Sequence, residues 1–261
     1  MKKLLCSFLG VLLLAGCVSE RAVSPTEPSP VAVSAGIEGW GFRRIPGERP
    51  EFTAAQIAAM DTYGCLYMGK EDKGLYLTFD EGYENGYTAS ILDTLKEKGV
   101  PAAFFITMPY MESHPDLVGR MVEEGHIVGN HTVNHPSLPT VTDDKKLEEE
   151  IVGLTRAFSE KFGSTMRYLR PPKGEYNART LALTQKMGYT NVFWSFAYED
   201  WAQNESRGKA YAYTKVMAGL HGGAVILLHA VSRDNAEALG DIIDSARAAG
   251  YEFRSLDAYV Q

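Results

Sequence analysis

Residues 75–87 read LYLTFDEGYENGY, a stretch that decides the fold because an apolar strand runs directly into two acids. Bulky apolar residues alternate along it up to Phe79, and Asp80 and Glu81 follow. Two adjacent carboxylates repel each other unless a positive group lies beside them. The pair is therefore either an ordinary solvated turn or part of a charged site whose positive partner lies elsewhere in the chain.

Length and composition indicate a globular protein. The chain has 261 residues, of which 45% are hydrophobic, and this is enough for one large domain or two small ones. Its formal net charge of -7 at pH 7 argues against a general nucleic-acid binder, so no nucleic-acid partner is expected.

The first 17 residues, MKKLLCSFLGVLLLAGC, are typical of an export signal. Two lysines precede a short apolar segment, and small residues precede Cys17. The string LAGC resembles a bacterial lipoprotein signal, in which this cysteine is lipidated and becomes the first mature residue. The alternative is a plain secretory signal in which Cys17 has no role. We interpret residues 1–16 as the signal peptide, residues 17–39 as a lipid-attached flexible linker and residues 40–261 as the folded domain.

Beyond the linker, strand-like and helical segments alternate. Near-continuous apolar strands between amphipathic helices predict a parallel sheet covered by helices. About seven such units predict a distorted (β/α) barrel rather than an open sheet.

Polar residues follow strand after strand. In a barrel the carboxyl ends of all strands face the same end, where active sites are built. The residues in question are Asp80, Glu81, His131, His135, Arg170, Asp200, Trp201 and His229.

The four-residue spacing of His131 and His135 suits one face of a helix, but Pro136 disfavours helical backbone at the residue before it. The pair is therefore expected on a tight loop. Two imidazoles and one carboxylate suit zinc or a similar divalent ion, with positions left for water and substrate.

Five short motifs occur in a fixed order: TFDEG, HTVNHP, RPPKG, EDW and LLH. Together they resemble the motifs of the polysaccharide deacetylases (carbohydrate esterase family four). The longer strings YLTFDEGYENGYT, FWSFAYEDW and LLHAVSRDNAEAL resemble more closely the branch that deacetylates N-acetylmuramic acid and so forms muramic δ-lactam in bacterial spore cortex.

The resemblance implies a role for each matching residue. Asp80 corresponds to the general base that activates water, and Arg170 to the residue that orients Asp80. His229 corresponds to the general acid, and Asp200 to the carboxylate that raises its pKa. The implied metal ligands are Glu81, His131 and His135, with Zn²⁺ as the expected ion, and the implied walls of the acetyl pocket are Trp201 and Leu227.

Position 81 departs from the family, most of whose members have aspartate there. Glutamate is one methylene longer, so Glu81 is a working ligand, a weak ligand or a bystander, and the sequence does not choose among them.

Three further residues are candidates for substrate binding. Tyr83 is expected to stack on a sugar, whereas Trp194 is expected in the core. Lys173 and Arg233 are candidates to meet the lactyl carboxylate of muramic acid, with solvated surface charges as the alternative.

The resemblance predicts a metal-dependent deacetylase of N-acetylmuramic acid whose partner is the peptidoglycan glycan strand. The alternatives are a deacetylase of other N-acetylated glycans and a catalytically silent glycan-binding lipoprotein. The expected location is the outer face of the cytoplasmic or forespore membrane, reached through a lipid anchor on Cys17.

Overall fold

The computed structural model describes residues 36–45, 47–202 and 206–259. The predicted signal peptide, Cys17 and most of the predicted linker lie outside these residues. No helix in these three ranges combines the length and the hydrophobicity needed to cross a bilayer.

A seven-stranded sheet forms the centre of the fold, and every strand pair in it is parallel. Its strands are β2 (Gly74–Glu81), β3 (Ala102–Ile106), β4 (Ile127–Asn130), β5 (Tyr168–Leu169), β7 (Thr190–Asn191), β8 (Ala224–His229) and β9 (Glu252–Phe253). Their hydrogen-bonded order is β7-β5-β4-β3-β2-β8, and β9 pairs with the start of β2.

Helices lie between the strands along the chain, as the alternating pattern predicts. They are α1 (Ala54–Thr62), α2 (Thr88–Lys98), α3 (Met108–Ser113), α4 (Pro115–Glu123), α5 (Asp144–Phe162), α6 (Ala178–Lys186), α7 (Lys209–Gly219) and α8 (Arg233–Ala248).

The sheet curls so that the chain beyond β7 reaches β8. Phe196 forms a parallel bridge with Ile226, and the amide of Leu227 donates to the Phe196 carbonyl (2.8 Å). This contact joins the two ends of the hydrogen-bonded order and confirms the predicted distorted barrel.

β2 shows how the sequence divides into the two faces of the sheet. Leu75, Leu77 and Phe79 pack in the large core between sheet and helices, whereas Tyr76 packs in a second core with Phe105. Side chains alternate between the two faces of a strand. Asp80 therefore shares the face of Tyr76, inside the barrel, and Glu81 shares the face of Phe79.

A small antiparallel pair joins β1 (Glu38–Gly39) to β6 (Glu175–Tyr176). β1 occupies the last two residues of the predicted linker, so ordered structure begins before the predicted boundary at residue 40. Cys65 is fully buried, and burial raises the pKa of its thiol to about 12, as befits a core residue.

Candidate active site

Strand register brings the predicted catalytic residues to one end of the barrel. Asp80 at the end of β2 lies opposite His229 at the end of β8. Asn130 at the end of β4 lies opposite Leu169 of β5, so His131 and Arg170 follow at neighbouring strand ends. The strands thus place Asp80, His131, Arg170 and His229 at one end of the barrel.

Asp80 and Arg170 form a buried ion pair. The Arg170 guanidinium is fully buried, and its Nη1 donates to Asp80 Oδ1 at 2.7 Å. Its remaining donors reach Thr78 Oγ1 (2.9 Å) and the Val192 carbonyl (3.1 Å). The guanidinium is therefore held in place from several sides and points one nitrogen at Asp80.

Aromatic packing inside the barrel supports the guanidinium. Its carbon lies 4.2 Å from the centre of the Phe105 ring, a cation–π contact. A Cβ at Gly129 in β4 would come within 2.5 Å of that ring. Glycine at 129 therefore leaves the space that the Phe105 ring occupies beneath Arg170.

The charges around Asp80 keep it ionised. Burial alone raises the pKa of a carboxyl group, but the positive charge of the Arg170 guanidinium and its hydrogen bond hold the pKa of Asp80 below its ordinary value. An ionised carboxylate at this position can accept a proton at neutral pH, as a general base must.

His131 and His135 lie on an irregular loop after β4, as the proline at 136 predicts. His135 has a φ of 55° and Thr132 a φ of 71°, values that non-glycine residues seldom adopt. The Thr132 hydroxyl accepts a hydrogen bond from the His135 amide (2.9 Å) and thereby stabilises this backbone.

The imidazole nitrogens of this pair converge. The Nδ1–H of His131 donates to the Arg170 carbonyl (2.8 Å), which leaves Nε2 of His131 unprotonated. That Nε2 lies 3.1 Å from Nε2 of His135 and 3.6 Å from Asp80 Oδ2. Burial lowers the pKa of His131 to about 4 and also lowers that of His135, so both rings are neutral at neutral pH.

Two neutral imidazoles with adjacent Nε2 atoms beside a carboxylate fit a divalent cation in donor chemistry. Within the described part of the chain, however, no group of three or more His, Cys, Asp or Glu side chains has the arrangement of a metal site. The two histidines are thus brought together as predicted, and the third ligand is not.

Glu81 lies apart from this pair. It is fully buried, and neither carboxylate oxygen has a hydrogen-bond partner among the described residues. Burial, with the nearby charges of Glu84 and Asp80, raises the pKa of Glu81 well above its ordinary value. The structure does not join Glu81 to the two histidines, so its role as a ligand stays a prediction.

His229 and Asp200 form the second charged pair. Nδ1 of His229 donates to Asp200 Oδ1 at 2.6 Å, and the His229 amide donates to Oδ2 at 2.9 Å. Burial opposes the charged imidazole, but Asp200 outweighs it and, helped by Asp80, raises the pKa of His229 above its ordinary value. An imidazole whose pKa is raised, opposite a carboxylate whose pKa is lowered, suits a general acid and a general base.

A pocket of about 390 Å³ opens onto both pairs. It is lined by Asp80, His131, His135, Lys173, Trp194, Trp201, Leu227 and His229. Trp201 and Leu227 are thus placed where a small acetyl pocket was expected. The prediction that Trp194 is a core residue was incomplete, because its half-buried side chain also lines this pocket.

Lys173 is a charged residue of the pocket wall, whereas Arg233 lies outside the lining. Lys173 has a φ of 59°, so its backbone is strained where its side chain meets the pocket. Arg233 is exposed and pairs with Glu237 one turn along α8 (2.7 Å). The structure therefore brings one of the two predicted carboxylate-binding cations to the site.

Tyr83 is partly exposed and also lies outside the pocket lining. Its hydroxyl donates to the carbonyl of Trp201 (2.9 Å), whose half-exposed ring lies 5.5 Å from the His229 ring. Tyr83 thus bridges the loops after β2 and β7, and its predicted contact with sugar stays a prediction.

Sequence reasoning missed the residues that hold the histidine loop and the His229–Asp200 pair. Glu150 of α5 accepts hydrogen bonds from the Asn134 amide (2.9 Å) and side chain (2.7 Å), next to His135. Asn235 of α8 donates to Asp200 Oδ2 (2.6 Å). Both lie on helices, where sequence gives no sign that a polar residue faces a distant loop.

Comparisons with known proteins show which family the chain resembles. The family profile described as polysaccharide deacetylase matches residues 68–192. The peptidoglycan-N-acetylmuramic acid deacetylase PdaA of Bacillus subtilis is 40% identical over 259 residues, 98% of this chain and 95% of the relative. An uncharacterised 30.6 kDa protein of Geobacillus stearothermophilus is 46% identical over 85% of this chain and 84% of the relative.

Solved structures show the same likeness. The structure of Bacillus subtilis PdaA, described as a family 4 carbohydrate esterase, has a TM-score of 0.84 and covers 87% of this chain and 98% of its own. A family 4 carbohydrate esterase from Bacillus anthracis has a TM-score of 0.74 at 43% identity, with 87% of this chain and 98% of its own covered.

Proposed function

The chain belongs to the polysaccharide deacetylase family, hydrolases that act on the amide of N-acetyl groups, and we propose that it deacetylates muramic acid in peptidoglycan. The observation that carries the proposal is one pocket shared by Asp80, which pairs with Arg170, and His229, which pairs with Asp200. A silent glycan-binding protein needs neither pair, so this geometry favours the enzyme.

The proposed reaction follows from the two protonation states. Asp80, held by Arg170, takes a proton from the attacking water, and His229 donates a proton to the departing amine. An amide anion is too poor a leaving group to depart without that proton. Trp201 and Leu227 form apolar walls for the acetyl methyl group.

His131 and His135 would hold a divalent cation, with Zn²⁺ as the ion that best suits two neutral imidazoles. When bound, such an ion polarises the acetamide carbonyl and stabilises the charge that develops on its oxygen.

Muramic acid differs from glucosamine by its lactyl carboxylate, and Lys173 supplies a cation in the pocket wall. The relative from Bacillus subtilis, named for N-acetylmuramic acid, matches nearly the whole chain. Both observations favour muramic acid over other N-acetylated glycans.

Deacetylation leaves a free 2-amine near the lactyl carboxyl of the same sugar. Closure of the lactam forms the bond between the amine nitrogen and the carboxyl carbon with loss of water, and its intramolecular character favours it over competing reactions. The carboxyl must first be free of its peptide stem, so an amidase is expected to act before this enzyme. Muramic δ-lactam of spore cortex is the proposed product, made outside the cytoplasmic or forespore membrane.

The test uses peptidoglycan strands with and without peptide stems and measures acetate release and product mass. We expect acetate from muramic acid in the stem-free strands. Lys173→Ala is expected to raise KM about tenfold, as the loss of a charge-assisted hydrogen bond does. Arg233→Ala is the matched control, because Arg233 pairs with Glu237 outside the pocket. Deacetylation confined to glucosamine in both substrates contradicts the assignment.

A further inference from the structure

Asn235 connects the first turn of α8 to the carboxylate behind His229. Its Nδ2 donates to Asp200 Oδ2 (2.6 Å) and lies 3.3 Å from the His229 carbonyl oxygen, which also accepts from it. The side chain is 1% exposed and does not line the pocket. Asn235 therefore acts on the site only through Asp200 and the backbone of His229.

These contacts leave Asp200 little freedom. Its Oδ1 accepts from the His229 ring and its Oδ2 accepts from the His229 amide, so the carboxylate already spans the ring and the backbone of one residue. Asn235 adds a third donor to the carboxylate, at Oδ2 and from the helix side. Rotation of the carboxylate would break at least one hydrogen bond in a buried site, which is costly.

Tyr198 determines which way the Asn235 amide faces. The Tyr198 hydroxyl donates to Asn235 Oδ1, so the opposite end of the amide, which carries its two hydrogens, points toward Asp200 and His229. Burial, with the nearby charge of Asp200, raises the pKa of Tyr198, so its hydroxyl remains a donor. A buried chain of hydrogen bonds thus runs from Tyr198 through Asn235 and Asp200 to His229.

We propose that Asn235 and Tyr198 are positioning residues for the deacetylase reaction: they hold Asp200 against Nδ1 of His229, so that the other ring nitrogen presents its proton to the pocket. This inference rests on the role of His229 as general acid and not on muramic acid as the substrate. Without the two residues, Asp200 is free to turn away, and its ion pair with His229 weakens.

The pH dependence of activity separates positioning from a purely structural role. Asp200 and Asp80 stabilise the charge on His229, whereas Arg170 opposes it, and the neutral ring of His135 adds no charge. The imidazole must be protonated to act as an acid, so the alkaline limb of the pH–kcat profile follows its pKa. Weaker pairing with Asp200 lowers that pKa and moves the alkaline limb to lower pH.

The experiment compares Asn235→Ala and Tyr198→Phe with wild type. It measures pH profiles on an N-acetylated glycan that the wild type hydrolyses, and the His229 titration by NMR without substrate. We expect a loss in kcat of about tenfold for Asn235→Ala, below the ~10²–10⁴ that an acid itself contributes, with KM little changed. The alkaline limb and the NMR pKa should both move to lower pH, by less in Tyr198→Phe.

Asn191→Ala is the control, because Asn191 is equally buried but donates to Thr184 on α6. It should lower the Tm without moving either pH measurement. Tyr198→Phe removes one hydroxyl group and tests the proposal even where Asn235→Ala does not fold. An unchanged His229 titration in the folded variants overturns the proposal, and the NMR result stands whichever glycan proves to be the substrate.

Discussion

For the proposed reaction Asp80 must be ionised and His229 must be protonated, and each has a neighbouring residue that favours the required state. Arg170 favours the carboxylate, and Asp200 favours the imidazolium. Because Arg170 is fully buried, it depends on Asp80 as much as Asp80 depends on it. Substitutions at the two catalytic positions therefore differ in their structural cost.

His229→Ala is expected to lower kcat by about 10²–10⁴. It should destabilise the fold less than a change at Asp80, because the buried Asp200 loses its imidazole partner but keeps the hydrogen bonds from the backbone amide of residue 229 and from Asn235. Asp80→Asn should lower kcat at least as far, and it should also destabilise the fold, because a buried pair that loses one partner costs ~3–5 kcal/mol. Turnover and thermal denaturation measured together check both expectations. His114→Ala, at the junction of α3 and α4, is the control, and wild-type kcat in either site variant would remove that residue from the mechanism.

Glu81 gives a second prediction at this scale, because it lies on the opposite face of β2 from Asp80 and has no polar partner among the described residues. Loss of a group that hydrogen-bonds to a metal ligand lowers metal affinity ~10-fold or more. We expect Glu81→Gln to change the Zn²⁺ affinity by less than that. His135→Ala should weaken binding much more. Calorimetry with Zn²⁺ alone measures both, and an equal loss in the two variants would restore Glu81 as a ligand.

At the scale of elements, two segments of the site are held by helices that follow them in the chain. α5 holds the histidine loop through Glu150, and α8 holds Asp200 through Asn235. The strands were predictable because their apolar residues alternate or run continuously, and the order of polar strand ends followed from the barrel. The contacts made by polar residues on α5 and α8 were not predictable, because the sequence of a helix does not show which loop a polar residue faces.

The alternation of apolar residues in β2 already predicted that Asp80 and Glu81 face opposite sides of the sheet. Alternation of Leu75, Leu77 and Phe79 already placed Glu81 on their face and Asp80 on the other. The resemblance to the family nevertheless suggested that both acids meet one site. Backbone strain at His135 and Lys173 lay beyond prediction, since only tertiary contacts select such conformations.

The contact between α5 and the histidine loop predicts an effect on metal binding. Glu150→Ala removes both acceptors of Asn134 and leaves the segment before His135 held to α5 by the Val133 amide alone, so we expect Zn²⁺ affinity to fall ~10-fold. Glu148→Ala, an exposed change of equal charge on the same helix, should leave affinity unchanged. Calorimetry with Zn²⁺ alone measures both variants, and equal affinities would show that the loop keeps its shape without α5.

At the scale of the whole molecule, the site lies at one end of the barrel, and the proposed anchor is near the N-terminus of the sequence. Residues 1–16, Cys17 and residues 18–35 fall outside the described structure, so the lipoprotein assignment rests on the sequence LAGC. A tethered enzyme reaches only the glycan within the span of its linker. Anchoring would therefore restrict the proposed deacetylation to peptidoglycan close to the membrane.

Cys17→Ala tests that anchor in the native host. The chain carries a net charge of -7, so attraction to anionic lipid headgroups does not help it to stay at the membrane. Stable attachment of such a protein requires more than one acyl chain, as a lipidated N-terminal cysteine provides. We expect Cys17→Ala to move the protein from the membrane fraction to the soluble exported fraction, with activity per molecule unchanged. Cys6→Ala, a change of the same kind inside the predicted signal peptide, should leave the protein at the membrane, and unchanged partitioning of Cys17→Ala would favour a plain secretory signal.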